Sequence, residues 1–285
     1  MSNSFKAVIK LIRFHEYGPL VIITCLTTAL LATKELDIKL VKLLVYATSG
    51  SISTFILNDI VDVDEDRVLS RFRNPLVNSE LSVNTALILY LLTATASITA
   101  LVGLNIYVIT LALTTLTLSY LYSVGIRFKD LVPTDLLIHG LVPTLLTITT
   151  YITYRPLSLD LLILALIVFT SSITSELLQE IRDLSINSRS TVKYLGIKVS
   201  KDLILTLVMI ASVLYILLTL SRYDLNYLVI YSPLTYFIIE PVIKFRSNYL
   251  SVEEVISKLR FRTTLLVTLA LTTYVVLNTS QYTIR

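Results

Sequence analysis

Long apolar runs recur along the whole chain, and polar residues fall mainly in the segments between them. A helix needs about 20 apolar residues to cross a bilayer, and nine runs come near that length. They lack the alternation of polar and apolar residues that marks a membrane β-strand. The pattern predicts an all-α, polytopic membrane bundle of nine transmembrane helices, at residues 15–33, 40–58, 83–103, 105–124, 133–152, 159–178, 203–221, 227–245 and 263–281.

Composition agrees with this prediction. Hydrophobic residues make up 54% of the chain and charged residues 15%, whereas a soluble globular protein has about 25% charged residues. The single cysteine, Cys25, lies inside the first run, so neither a disulfide framework nor a Cys/His zinc site is expected. No linker rich in Pro, Gly or Ser divides the chain. We therefore expect one domain over residues 1–285, with polar motif loops at 58–82 and 176–201.

Basic residues are distributed unequally between the two sides of this predicted bundle. With a cytoplasmic N-terminus, 18 of the 24 Lys and Arg residues lie on the cytoplasmic side and six on the other. This asymmetry satisfies the positive-inside rule. It predicts a multi-pass protein of the cell membrane whose motif loops face the cytoplasm. Attraction to anionic lipid headgroups explains the net charge of +4 without a nucleic acid partner.

An acidic cluster interrupts the apolar pattern at residues 58–66, Asn-Asp-Ile-Val-Asp-Val-Asp-Glu-Asp. Asp59, Asp62 and Asp66 are spaced i, i+3, i+7, which places three carboxylates on one face of a helix. Such crowding of like charges is unfavourable unless a cation lies among them. Mg²⁺ prefers a few carboxylates together with phosphate oxygens. The cluster therefore indicates metal-dependent chemistry on a diphosphate at a membrane surface.

A weaker copy of this spacing follows the sixth apolar run. Glu180, Asp183 and Asn187 repeat the i, i+3, i+7 pattern at the start of another predicted cytoplasmic loop. Basic residues follow both copies. We expect the two triads to meet across the bundle and to hold Mg²⁺ between them.

These motifs resemble the UbiA superfamily of intramembrane aromatic prenyltransferases. Residues 58–66 are similar to its first signature, NDxxDxxxD, and Arg73-Asn-Pro-Leu is similar to the basic-Pro-Leu element after it. Tyr122-Ser123 with Lys129 resembles a Tyr-Ser and Lys element, and residues 180–187 with Thr191 resemble the second signature, DxxDxxxD, and its following Thr. The chain departs from the family pattern at Glu180, Asn187 and Gln179, and it lacks a Pro-Ser-Gly ending after Pro75.

The resemblance implies a set of site residues. Asp59, Asp62, Asp66 and Asp183 are implied to be catalytic. Mg²⁺ is the implied cofactor, and its expected ligands are Asp59, Asp62, Asp66, Glu180, Asp183 and Asn187. The residues expected to bind the substrate diphosphate are Asn58, Arg73, Arg127, Lys129, Arg13 and Lys193, with Arg67 and Arg182 as further candidates. Arg forks and Lys ammonium groups suit phosphate oxygens, although basic loop residues also serve the positive-inside bias.

The implied activity is Mg²⁺-dependent transfer of a polyprenyl group from a prenyl diphosphate to a lipophilic acceptor, through an allylic carbocation. An aromatic face such as that of Tyr122 is expected to shield the cation. The acceptor is expected to be a quinone-type aromatic or an isoprenoid-lipid precursor. Two alternatives are a CDP-alcohol phosphatidyltransferase, whose Asp-Gly-x-x-Ala-Arg motif is missing, and a cation-coupled transporter, whose carboxylates should lie near the midplane of the bilayer.

Two isolated groups carry both a functional and a structural interpretation. His139 lies in the fifth apolar run and is expected to be a hydrogen-bonded structural histidine, with a role as a base or in positioning the acceptor as the alternative. Glu240 precedes Pro241 in the eighth run. An ionisable residue there is a functional candidate, and an interhelical partner is the alternative.

Overall fold

The computed structural model describes residues 3–33, 37–68, 73–185, 190–222, 225–263 and 265, and every regular element within these ranges is a helix. The chain forms two compact units, Met1–Pro156 and Leu157–Arg285. This all-helical architecture confirms the predicted fold class.

The described part of the first unit contains seven α-helices and one short 3₁₀ helix. They are α1 (Asn3–Ile12), α2 (Phe14–Ala32), α3 (Ile38–Val61), α4 (Val63–Val68), α5 (Val83–Ala100), α6 (Ile106–Ser123), the 3₁₀ helix Phe128–Asp130, and α7 (Thr134–Ile152). The second unit contains α8 (Leu159–Arg182), α9 (Thr191–Leu195), α10 (Ile197–Arg222) and α11 (Leu225–Arg246). Residues 252–263 form a further helix.

Six of the described helices are long and apolar enough to cross a membrane: α3, α5, α6, α7, α8 and α10. They coincide with six of the nine predicted runs. Residues Phe5–Ile12 and Tyr17–Ala32 add one bent pair, at 48°, with the composition of a single span. The eighth predicted run falls in α11, and most of the ninth lies outside the described residues. A multi-pass helical membrane protein is therefore confirmed, whereas nine spans and a cytoplasmic N-terminus stay predictions.

Many hydroxyl side chains within the spans donate to a backbone carbonyl of their own helix. Thr27 donates to the Ile23 carbonyl at 2.7 Å, Thr93 to Leu89 at 2.8 Å, and Thr110 to the carbonyl four residues before it at 2.9 Å. A hydroxyl bonded in this way carries little cost in an apolar environment. This pattern explains how a chain with so many Thr residues forms apolar spans.

Helix α3 is the centre of the first unit, where it packs against α1, α2, α5, α6 and α7. It approaches α5 tightly at Gly50, where a Cβ atom would lie 2.9 Å from the Ser97 hydroxyl. Near the other end of α3, one apolar cluster joins α1, α3, α5 and the loop before α5: Ala7, Leu11, Ile56, Leu76, Leu81 and Ala86. This cluster holds the loop at residues 74–81 beside the acidic end of α3.

In the second unit, a proline leaves one backbone carbonyl of α11 without its helical hydrogen-bond donor. Pro241 lies in α11 and has no N–H to donate to the carbonyl of Phe237, four residues earlier. Arg262 donates to that carbonyl and, at 2.6 Å, to Glu240. Glu240 also pairs with Lys244. Its contacts are thus those of an interhelical partner, the structural alternative for this residue.

Candidate active site

The first acidic motif lies at a bend between two helices. Helix α3 ends at Val61, Asp62 caps it, and α4 begins at Val63. The backbone N–H of Asp62 donates to the Asn58 carbonyl at 2.9 Å, and that of Asp66 donates to the Asp62 carbonyl at 2.7 Å. One helical hydrogen bond therefore joins Asp62 to α3, and another joins α4 to Asp62.

Burial separates the motif carboxylates from their acidic neighbours. Asp59, Asp62 and Asp66 are 0%, 8% and 6% exposed, whereas the intervening Asp64 and Glu65 are exposed. Carboxylates are almost never buried unless they are paired. The structure thus distinguishes the three predicted residues from the rest of the acidic run.

Two of the buried carboxylates are paired with predicted diphosphate-binding residues. Arg13 donates to Asp59 Oδ1. Lys129 donates to Asp62 Oδ1 at 2.5 Å, and Arg127 Nη2 lies 3.7 Å from the same oxygen. These basic residues come from the α1–α2 junction and from the segment after α6, distant in sequence from the motif. The structure thus brings Arg13, Arg127 and Lys129 to the acidic end of α3.

Both arginines lie at breaks between helices and have left-handed backbones, with φ of 50° at Arg13 and 52° at Arg127. Such conformations cost non-glycine residues free energy and are concentrated at functional sites. Arg127 Nε also donates to Asp130 Oδ2 at 2.6 Å, and Arg127 Nη2 lies 3.3 Å from Glu65. The hydrogen bond to Asp130 raises the pKa of Arg127 above its usual value. Its positive charge is therefore permanent.

Two asparagine side chains join these charged groups. The Asn58 amide oxygen accepts from Ser123 at 2.9 Å and from Lys129 at 3.2 Å, so it orients the Lys129 ammonium group beside Asp62. Asn74 donates to Asp66 Oδ2 at 3.0 Å. Sequence reasoning missed Asn74, because a buried amide in a loop has no periodic pattern; its only signal is its place in the Arg73-Asn-Pro-Leu element.

The donor set of the first motif fits a hard divalent cation. Asp59 Oδ2 is buried and, in the described part of the chain, has no hydrogen-bond partner. Carboxylate oxygen is the preferred ligand of Mg²⁺. Across the described ranges, however, no three or more His, Cys, Asp or Glu side chains converge closely enough to hold a metal ion. The carboxylates of the first motif instead accept hydrogen bonds from Arg13, Lys129 and Asn74.

The second motif lies at the end of α8. Asp183 caps α8 and receives two hydrogen bonds from Arg182, both at 2.8 Å. Glu180 is 4% exposed and accepts from the backbone N–H of Val192 at 2.8 Å, which holds the start of α9. Thr191 is also buried. Asn187, the third member of this triad, lies outside the described residues.

Three other predicted basic residues occupy exposed positions. Arg73 and Lys193 are exposed, and Arg67 pairs with Asp64 at 3.1 Å on the outer face of α4. Tyr122 and His139 are half-buried. The described contacts therefore place Arg13, Arg127, Lys129 and Asn58 at the acidic motif, and the charge of Arg73 also acts on Asp59.

Fold and site together define a class of protein. The chain is a multi-pass helical membrane protein whose buried carboxylates lie at helix ends beside arginine and lysine. A cation-coupled transporter should carry them on broken helices near the middle of its spans. This placement favours an enzyme that binds an anionic substrate at the membrane surface.

The family follows from comparison with known sequences. Residues 20–277 match the UbiA prenyltransferase family, and the chain belongs to this family. The predicted enzyme class, prenyltransferase, is the class of this family and is confirmed. No protein of curated function matches the chain significantly.

Solved structures share the fold. A structure of digeranylgeranylglyceryl phosphate synthase is 18% identical over 94% of this chain and 97% of its own, with a TM-score of 0.71. A UbiA homologue from Archaeoglobus fulgidus, bound to GPP and Mg²⁺, is 17% identical over 94% and 97%, with a TM-score of 0.70. The apo structure of a UbiA homologue from Aeropyrum pernix K1 is 18% identical over 93% and 98%, with a TM-score of 0.73.

Proposed function

We propose that this protein transfers a polyprenyl group from a prenyl diphosphate to a membrane-associated acceptor in an Mg²⁺-dependent reaction. The observation that carries the proposal is the burial of Asp59, Asp62 and Asp66 beside Arg13 and Lys129, in a chain of the UbiA prenyltransferase family. The Archaeoglobus fulgidus relative with the same fold is bound to GPP and Mg²⁺, which supports both the donor and the cofactor.

The acidic residues are proposed to hold the metal ions, with the first triad as the principal set: Asp59, Asp62 and Asp66, then Glu180, Asp183 and Asn187. The unpartnered buried oxygen of Asp59 supports this assignment. Bound Mg²⁺ would neutralise the diphosphate and so favour its departure from the allylic carbon. Asp183 holds Arg182 in a two-point ion pair, so it can present a carboxylate and a guanidinium together.

The basic residues are proposed to bind the diphosphate itself. Lys129, Arg127 and Arg13 are the first choices because they already lie at the acidic motif. They stabilise the negative charge that grows on the leaving group as the C–O bond breaks. Asn58 orients Lys129 through its amide oxygen. Arg73 and Lys193 are proposed as outer contacts that meet the substrate from exposed positions.

An aromatic pair lies one helical turn from the Arg13–Asp59 ion pair. Tyr17 follows Arg13 by four residues on α2, Phe55 precedes Asp59 by four on α3, and their rings stack with centroids 4.1 Å apart and planes 17° apart. We propose that the start of the prenyl chain lies beside this pair, where apolar surface excludes water and ring faces stabilise a carbocation. Tyr122 is a second candidate for that shielding.

The acceptor is proposed to be a quinone-type aromatic or an isoprenoid-lipid precursor. The similarity to a digeranylgeranylglyceryl phosphate synthase supports the second choice at the level of fold. We further propose that the whole chain acts as one catalytic domain with its active site on the cytoplasmic face. An acceptor screen with geranylgeranyl diphosphate, with products identified by mass spectrometry, distinguishes the two acceptor classes.

The metal-dependent step is tested by isosteric removal of charge. Purified protein in lipid nanodiscs should bind geranylgeranyl diphosphate only with Mg²⁺, and Asp62→Asn and Asp183→Asn should each weaken that binding at least tenfold. Loss of a hydrogen-bond partner of a metal ligand already costs about 10- to 100-fold in metal affinity, and loss of a ligand should cost no less. Calorimetry measures the binding.

Matched controls lie in the same acidic run and on the same helix α8. Asp64→Asn removes a carboxylate that is 88% exposed on α4, and Asp160→Asn removes one at the opposite end of α8 from Asp183. Both controls should bind the donor as the wild type does. Donor binding that is independent of Mg²⁺ and unchanged by both test substitutions would contradict the proposed mechanism.

A further inference from the structure

Asn74 is a buried amide beside the first acidic motif. It lies just before Pro75 in the loop that precedes α5 and is 1% exposed, although the residues around it in the sequence include the exposed Arg73 and Asn78. Asparagine is mostly exposed in folded proteins. A fully buried one must satisfy its donors and acceptor within the protein.

The side chain of Asn74 makes three hydrogen bonds, each to a different segment. Its Nδ2 donates to the backbone carbonyl of Asp59 at 2.8 Å and to Asp66 Oδ2 at 3.0 Å. Its Oδ1 accepts from the backbone N–H of Leu76 at 3.1 Å. One amide therefore joins the last turn of α3, the carboxylate on α4 and its own loop.

These bonds act on the two ends of the motif at once. The Asp59 carbonyl belongs to the final turn of α3, where helix carbonyls lack partners in their own helix. Asn74 Nδ2 donates both to this carbonyl and to Asp66 Oδ2. It thereby fixes the Asp66 carboxylate relative to the Asp59 backbone across the α3–α4 bend. The loop cannot shift easily, because Leu76 and Leu81 are packed in the cluster with Ile56.

We propose that Asn74 is a positioning residue for the metal site of the first motif. It orients the Asp66 carboxylate for a divalent cation through its Nδ2, and it contacts neither the prenyl diphosphate nor the acceptor. A hydrogen-bonded neighbour of a metal ligand typically changes metal affinity 10- to 100-fold when it is removed. The proposal rests on the Mg²⁺-dependent function proposed above and assigns one further residue to it.

Direct metal binding tests this role without any prenyl substrate. Mn²⁺ serves as a paramagnetic substitute for Mg²⁺, and its binding to the full-length protein in nanodiscs is measured by electron paramagnetic resonance. Asn74→Asp keeps the shape of the side chain and the acceptor for Leu76 N–H, but replaces the donor with a second carboxylate oxygen. Asn74→Leu removes both functions. Both variants should weaken Mn²⁺ binding at least tenfold. They should raise the Mg²⁺ concentration that gives half-maximal prenyl transfer by the same factor.

The matched control is Asn78→Asp, the same chemical change at an exposed position four residues later in the same loop. It should leave Mn²⁺ affinity within twofold of the wild type. Asn74→Ser retains one donor and is expected to give an intermediate affinity; it also provides a measurement if the other variants fail to fold. In an Asp66→Asn background, Asn74→Leu should change the remaining Mn²⁺ affinity less than twofold, because Asn74 acts through Asp66.

The possible results separate this inference from the proposed function. A folded Asn74→Leu or Asn74→Ser protein with wild-type Mn²⁺ affinity and a lowered melting temperature would overturn the positioning role and leave the asparagine as a structural anchor. An undiminished effect of Asn74→Leu in the Asp66→Asn background would also overturn it. Wild-type protein that binds Mn²⁺ but transfers no prenyl group would contradict the proposed function alone. Wild-type protein that binds no Mn²⁺ would overturn both.

Discussion

Asp59 and Arg13 form an ion pair in which the aspartate side chain is 1% exposed and the arginine side chain 13%. Removal of one partner from such a pair leaves an unpaired buried charge, which costs about 3–5 kcal/mol. In the proposed function, Asp59 binds a metal ion and Arg13 binds the diphosphate. On the proposed mechanism, stability and catalysis depend on the same two side chains.

Arg13→Met should lower the melting temperature of the protein markedly, because Asp59 is left without its cation. The double variant Arg13→Met with Asp59→Asn should recover part of that loss, since its buried carboxylate is replaced by a neutral amide. Thermal unfolding in detergent, followed by circular dichroism, measures both. Lys6→Met, on the exposed face of α1, is the control and should change little. Equal melting temperatures for Arg13→Met and Lys6→Met would show that the ion pair contributes nothing to stability.

At the scale of elements, the ends of α3 determine the geometry of the first unit. One end bends into α4 and carries the acidic motif. The other begins at Asp37, whose carboxylate accepts from the N–H groups of Lys39 and Leu40 at 3.0 and 3.1 Å. The Tyr154 hydroxyl, just beyond α7, donates to the same oxygen at 2.7 Å. Asp37 therefore caps α3 and ties it to the end of α7.

Because the Asp37 cap is a carboxylate, the stability of the folded protein depends on pH. Burial pushes the pKa of Asp37 up, but hydrogen bonds from Tyr154, Leu40 and Lys39 outweigh it and leave the pKa below its ordinary value of 3.8. A depressed carboxyl pKa stabilises the folded state above the ordinary pKa, and this contribution is lost as the pH falls through the folded-state pKa. The ionised cap therefore stabilises the protein fully at neutral pH.

Two substitutions separate the cap from its charge. Asp37→Ala should cost about 0.5–2 kcal/mol at pH 7, the usual effect of losing a helix N-cap. Asp37→Asn keeps a good capping oxygen and should cost less, but it should remove the part of the acid destabilisation that begins below about pH 4. Unfolding at pH 7 and at pH 3 measures both effects. If the wild type and Asp37→Asn lose the same stability between pH 7 and pH 3, that loss is due to other carboxylates.

At the scale of the whole molecule, charge asymmetry predicts which loops face the cytoplasm. The single cysteine, Cys25, is buried in α2, so a Cys25→Ala protein offers a clean background for labelling. Asn78 and Lys198 are exposed on the predicted cytoplasmic side, and Val102 and Leu157 are exposed on the other. These four positions sample both units of the chain.

Single-cysteine variants at these four positions test the orientation. In right-side-out membranes, an impermeant maleimide should label Val102→Cys and Leu157→Cys, because their loops carry few basic residues. It should label Asn78→Cys and Lys198→Cys only after the membrane is opened. Labelling of Asn78→Cys and Lys198→Cys from opposite sides would place the two acidic motifs on different faces and would exclude a shared cytoplasmic active site.

The sequence alone was sufficient to predict the helical membrane fold. Continuous apolar runs predict helices because a bilayer leaves no partner for an unpaired backbone group, and six of the nine predicted runs coincide with described helices long and apolar enough to span. The spacing of Asp59, Asp62 and Asp66 also identified the buried members of the acidic run. Both patterns are local and periodic, so they can be recognised without knowledge of the fold.

Only the tertiary structure decided how these groups are paired. Arg13 reaches Asp59 across 46 residues, Lys129 reaches Asp62 across 67, and the buried amide of Asn74 reaches Asp66 from a loop. Basic residues are common on the predicted cytoplasmic side, and nothing in their spacing separates Lys129 from the exposed Arg67. Pairing depends on helix packing and on bends at Arg13, Asp62 and Arg127, because packing decides which ends of distant helices come within hydrogen-bonding reach.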